Sequence, residues 1–138
     1  YSISNNELIR KADVVMHITT VPLVVISNGI VVKQFAATTG NMRGACAMCC
    51  KYMIVTDNHT ESARPATIAH ETGHILGCHH DGDGNDCRYS DGYIMGDINE
   101  KNGRQFSTCC KKVVEGFITG ERARNCIVET CYDKQKRK

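Results

Sequence analysis

The sequence predicts an α/β fold of the α+β kind, with strand signals in its first third and helix signals in its middle and end. Three features carry that prediction. β-branched runs and an Asn-Gly turn signal crowd the first third of the chain, helical periodicity governs the middle and the end, and nine cysteines begin at residue 46. At 138 residues one domain is the default, and such a chain buries roughly 70% of its unfolded surface, enough for a core. A net charge of +2 is too near neutral to argue for nucleic acid, and no run of eighteen apolar residues is present to span a membrane. The cysteine density points to an oxidising, extracellular setting. Its odd number leaves one thiol free, paired with another chain, or paired outside this stretch.

Residues 4–11 read as a short helix capped by Ser4 or Asn5, with Leu8 and Ile9 facing inward. The β-branched run 14–19 reads as a buried strand, and His17 within it as a hydrogen-bonded sheet residue. Residues 23–26 and 30–33 flank Asn28-Gly29, which predicts a hairpin. Asn58-His59-Thr60 is a glycosylation sequon in a polar loop, with Asn58 as the acceptor. Pro65 suits the first turn of a helix over residues 64–76. A last helix is expected over 107–118, with Val113, Val114, Phe117 and Ile118 as its inward stripe and Gly120 just past its end. The basic residues of 134–138 read as a frayed, solvated tail.

Chemistry concentrates in His70-Glu71-Thr72-Gly73-His74-Ile75-Leu76-Gly77-Cys78-His79-His80-Asp81, an H-E-x-x-H-x-x-G-x-x-H-D pattern. His70 and His74, four residues apart on a helix, share one face, which suits two nitrogen ligands of one metal. Gly77 supplies the left-handed turn that ends the helix and lets a third imidazole return. His79 competes with His80 for that role on chemistry alone; the motif spacing favours His80. Three histidines and one open position make a catalytic zinc site rather than a closed structural one. Glu71 is placed to take a proton from the water that such a metal activates. Residues 81–86 superficially suggest a calcium loop. Asp86 and Gly92 stand where an EF-hand needs Gly and Glu, so a Gly/Asp turn is the better reading. Met95 follows in Tyr93-Ile94-Met95-Gly96, where a Met-turn is expected.

These residues resemble the metzincin metalloproteases, and Asp81 narrows the resemblance to the reprolysin (adamalysin) branch. Residues 80–84, Cys87, Ser90-Asp91-Gly92-Tyr93-Ile94-Met95 and Phe106-Ser107-Thr108-Cys109 look like arthropod venom and salivary members, the antarease-like scorpion venom metalloproteases in particular. The similarity covers most of the chain, about 12–126. It implies a metzincin fold with a mixed sheet, residues 1–80 forming an upper part and 81–138 a lower Met-turn part of one catalytic domain. It also implies that the domain's first helix and two strands lie upstream of Tyr1, so that the chain is a fragment. Residues 40–47 would be the edge strand that holds a peptide substrate by strand addition, with 52–56 beside it. Residues 97–105 would wall the pocket for the side chain after the cleaved bond, and Met95 would floor the metal without binding it.

For the cysteines, Cys46-Ala47-Met48-Cys49 lacks the setting of a redox motif or a zinc ribbon, so disulfides are expected. The resemblance implies that Cys87 pairs with Cys109 or Cys110, and that Cys49 or Cys50 pairs with Cys126. Cys46, Cys78 and Cys131 have no family counterpart; a free Cys78 would sit beside the metal, open to oxidation. A structural calcium near the C-terminal cysteine is also implied, with Asn125 as the local hint. The function so read is a secreted, monomeric zinc endopeptidase acting on matrix or plasma proteins, or on vesicle SNARE proteins. The competing class is a non-catalytic, disulfide-rich binding toxin with a structural metal; Glu71 argues against it, because a structural site needs no base.

Overall fold

The computed structural model describes residues 6–35, 37–39, 42–47, 49–56, 64–124 and 126–127. The Asn58 sequon, Asn125, Cys131 and the basic tail lie outside the described residues. In chain order the elements are α1 (Glu7–Lys11), β1 (Val15–Thr19), β2 (Leu23–Ser27), β3 (Ile30–Phe35), β4 (Ala37–Thr39), β5 (Tyr52–Thr56), α2 (Arg64–Leu76), a 3-10 turn (Tyr89–Asp91), α3 (Thr108–Thr119) and α4 (Glu121–Arg124).

Two sheets form. β5 is the middle strand of the first, parallel to β1 on one side and antiparallel to β4 on the other. β5 alternates as a half-covered strand should, with Met53 and Val55 buried against Ala45 and Ile75. β2 and β3 make a separate hairpin around Asn28 (φ 51°) and Gly29 (φ 77°), the left-handed pair that a two-residue turn demands.

Several expectations are corrected. Asn6, rather than Ser4 or Asn5, caps α1, its side-chain oxygen accepting from the N–H groups of Leu8 and Ile9. Leu8 faces solvent and only Ile9 is half-buried. β1 is not a buried strand: it runs along a sheet edge, and Met16, His17 and Ile18 are exposed. The antiparallel edge strand is β4, upstream of 40–47; the described residues 42–47 are turns that run beside the end of α2. There the N–H of Arg43 bonds the carbonyl of His74 and that of Ala45 bonds Ile75, which satisfies two of the acceptors left at a helix end.

α2 joins the two halves of the core because it presents three faces, spaced by about 100° per residue. Ile68 and Ile75 face the sheet cluster. Ala69 and Gly73 face Met95, Ile94, Cys78 and Cys110, the second cluster, to which α3 adds Val113 and Val114. His70 and His74 occupy the third face. Ser107, expected inside the last helix, is its cap, α3 starting at Thr108; Ile118 is exposed, so the inward stripe stops at Phe117.

The disulfides depart furthest from expectation. Cys46, not Cys49 or Cys50, pairs with Cys126, and Cys49 and Cys50 pair with each other. Burial of Ala45 against α2 and the bond from the Cys46 N–H to the Asp13 carbonyl turn Cys46, not its neighbours, toward the end of the chain. Cys78 is not free; it bonds Cys110, whereas Cys87 bonds Cys109, one of the two partners expected for it. Lys51 is 1% exposed, and its ammonium donates to the carbonyls of Arg10 (3.0 Å) and Ala12 (2.7 Å), tying the end of α1 to the start of β5. Lys51→Met removes these charge-assisted bonds and leaves carbonyls without their donor; a loss of about 2–3 kcal/mol is expected in urea unfolding at neutral pH.

Candidate metal centre

The helix that carries His70 and His74 ends in a two-bond left-handed cap. Gly77, at φ 108°, donates its N–H to the His74 carbonyl, and Cys78 donates its N–H to the Gly73 carbonyl. The turn brings the chain back under the helix, so that His80 reaches the His70–His74 face. Asp81 secures the return. Its N–H bonds the Met95 carbonyl, and its buried carboxylate accepts the Ser107 hydroxyl at 2.6 Å, while Ser107 caps α3. Asn85 supports the loop beyond, donating to the His80 carbonyl and accepting from the N–H groups of Gly82 and Cys87.

The three rings converge through Nε2. The His70 and His74 Nε2 atoms are 3.1 Å apart, and those of His70 and His80 are 3.2 Å apart. Two of the other ring nitrogens are engaged behind them: His70 Nδ1 meets the Ile94 carbonyl and His74 Nδ1 meets the Cys78 carbonyl, each at 2.7 Å. A carbonyl only accepts, so each Nδ1 carries the proton and each Nε2 presents a lone pair. Lone pairs facing each other at 3.1 Å repel unless a cation lies between them. Zinc with Zn–N bonds of about 2.0–2.1 Å in a tetrahedron sets its nitrogens about 3.3–3.4 Å apart, so this donor set fits that ion. Burial lowers the pKa of half-buried His74, and partial desolvation lowers that of the more open His80, which favours the neutral form that a metal binds. His70 and His74 are half-buried and His80 is exposed, so the cluster opens to solvent on one side.

His79 is not part of the cluster; it is exposed, with Nδ1 3.8 Å from an Asp83 carboxylate oxygen. Glu71 is 8% exposed, and its pKa is raised by burial against an opposing pull from His70. Met95 is fully buried, and a Cβ on Gly73 would lie 2.7 Å from its sulfur and 3.1 Å from Phe106. Gly73, between the two helical histidines, is thus the residue that lets the methionine approach; the spacing of the motif alone does not reveal this. Beside the first turns of α2 lies a cleft of about 1170 Å³, lined by Pro65, Ala66, Ala69, Ile94, Ile98 and Arg104 among others. Its outer wall belongs to 97–105, where the Asn99 side chain accepts from the N–H groups of Lys101 and Asn102. The Gly/Asp reading of 81–86 suits turns with Gly82 and Gly84 at positive φ.

A three-imidazole donor set open to solvent, carried by a helix that also bears a buried carboxylate and borders a cleft, puts fold and site among the three-histidine metal-binding proteins. The sequence profile of the reprolysin (M12B) family zinc metalloprotease matches residues 15–130. The chain is 42% identical over 139 residues to venom metalloproteinase BumaMPs1 of Olivierus martensii, covering 99% of this chain and 35% of that protein. It is 38% identical over 109 residues to venom metalloproteinase antarease-like TserMP_B of Tityus serrulatus, 70% of this chain and 46% of that one. A disintegrin and metalloproteinase with thrombospondin motifs 18 of Mus musculus is 39% identical over 85 residues, 59% of this chain and 7% of that protein. The chain therefore belongs to the reprolysin family of zinc metalloproteases. It spans less than half the length of each of these relatives. Among the described residues no helix is long and apolar enough to cross a membrane.

Gly73→Ala pushes a methyl group into Met95 and Phe106. A stability loss of about 1–3 kcal/mol in chemical denaturation is expected, with weaker zinc binding in the folded protein.

Proposed function

We propose that this chain is the catalytic part of a secreted venom zinc endopeptidase. The observation that carries the reading is the meeting of three Nε2 atoms at one open point, with Glu71 buried next to His70 in sequence. His70, His74 and His80 hold the metal in this reading, and residues 1–80 and 81–138 supply the upper and lower parts of one domain. Bound zinc supplies a Lewis acid for the scissile carbonyl and lowers the pKa of water toward neutrality.

The chain's own groups do the rest. Glu71 takes a proton from the attacking water and returns it to the leaving amine. β4, the antiparallel edge of its sheet, binds the extended substrate backbone by strand addition. The cleft beside α2 takes the side chain that follows the cleaved bond. Met95 keeps the floor beneath the imidazoles apolar, and the Ile94 and Cys78 carbonyls keep the His70 and His74 rings in their ligand tautomer. Protein substrates and a venom role follow from the names of the relatives, and secretion agrees with four disulfides among the described residues.

Glu71→Gln is expected to keep one zinc per chain and to lower kcat/KM on a casein-type substrate by about 10²–10⁴-fold. Cleavage at the wild-type rate refutes the base assignment. His74→Ala is expected to lose zinc and activity together, and a chelator should stop the wild type until zinc is restored.

A further inference from the structure

Cys78 reaches in two directions from the end of α2. Its carbonyl accepts the His74 Nδ1–H at 2.7 Å. Its fully buried sulfur is bonded to Cys110 of α3, itself 2% exposed. Its N–H donates to the Gly73 carbonyl, so Gly73, His74 and Cys78 close one loop of contacts at the helix end. Helix ends fray, because their last carbonyls lack intrahelical partners. A hydrogen bond that depends on the residue two past the end frays with it, unless something outside the helix holds that residue. The bond to α3 supplies that hold.

We propose that Cys78 and Cys110 are a positioning pair for the metal centre: their disulfide fixes the carbonyl that aims the His74 ring, so the bond and metal binding are coupled. The proposal rests on the reading of the triad as a zinc site. The neighbouring Cys87–Cys109 bond provides an internal comparison. It joins the loop after His80 to the adjacent residue of α3, yet the Cys87 sulfur meets the Thr108 hydroxyl and the Cys109 N–H rather than aiming a ring. Groups that orient a ligand this way typically change metal affinity 10–100-fold. Coupling is reciprocal, so zinc must favour the Cys78–Cys110 bond by the same factor.

Zinc affinity of the intact chain, measured by competition with a chromophoric chelator, tests this. Cys78→Ala/Cys110→Ala is expected to bind about 10–100-fold more weakly, with shifted absorption bands after cobalt(II) loading. Cys87→Ala/Cys109→Ala, compared at full folded fraction, is expected to stay within about twofold and to keep the wild-type bands, since it removes no ligand-orienting group. Equal losses in both, or none in either, overturn the proposal. If the first variant does not fold, the wild type is equilibrated in glutathione buffers with and without zinc. There two glutathiones give up two electrons and two protons, leaving two protein thiols and one oxidised glutathione. Zinc is then expected to lower the Cys78–Cys110 potential by about 30–60 mV, the same 10–100-fold at 29.6 mV per decade, and to leave Cys87–Cys109 in place. Shifts of both bonds, or of neither, overturn the proposal equally. A wild type that binds no zinc sinks the triad reading as well; one that binds zinc while both pairs stay silent sinks only the positioning role.

Discussion

Two carbonyl oxygens decide what the imidazoles can do. Ile94 and Cys78 each accept an Nδ1–H at 2.7 Å, and in doing so turn two Nε2 lone pairs toward the same point. Without these bonds either ring could flip or change tautomer and present a donor to the site. With them, the site carries facing lone pairs 3.1 Å apart, an arrangement that is unfavourable by itself and favourable around a cation. The fit of this donor set to a cation is therefore set by backbone positions.

That holding is divided between two clusters on α2. On the sheet side, Ile75 packs against Met53, Val55 and Ala45, and the 42–47 turns bond the helix end. On the other side, Met95, Ile94, Cys78 and Cys110 form one cluster, with Met95 and Phe106 in the space that Gly73 leaves open. Ile94 and Cys78 belong to this second cluster, so the residues that orient the rings are themselves buried core. Asp81 adds the third constraint, joining the His80 turn to the Met95 carbonyl and the cap of α3.

The sequence made the local features legible. His70 and His74 at helical spacing, Gly77 at positive φ and Asn28-Gly29 between two strands each depend on a few adjacent residues, and each appears where the pattern put it. The choice of His80 over His79 was legible only through motif spacing; what executes it is the anchoring of Asp81, which no local rule states. Ring-orienting carbonyls were invisible, because every residue has a carbonyl and its direction is set by the chain path. The cysteine partners were hidden for the same reason: Cys46–Cys126 spans 80 residues, and adjacent cysteines look equivalent until the 42–47 turn is built. β1 read as buried from its β-branched content, yet burial depends on what lies beside a strand, and β1 lies at a sheet edge. The burial of Lys51 has no local sequence signal, because it is set by two carbonyls at and just past the end of α1.

The central claim is that His70, His74 and His80 present three nitrogens to one ion. X-ray absorption at the zinc edge of the zinc-loaded chain tests it most directly. The account predicts one zinc per chain with three imidazole nitrogens at about 2.0–2.1 Å and one further light-atom ligand. A sulfur shell near about 2.3 Å, or a spectrum unchanged in His80→Ala, would contradict it.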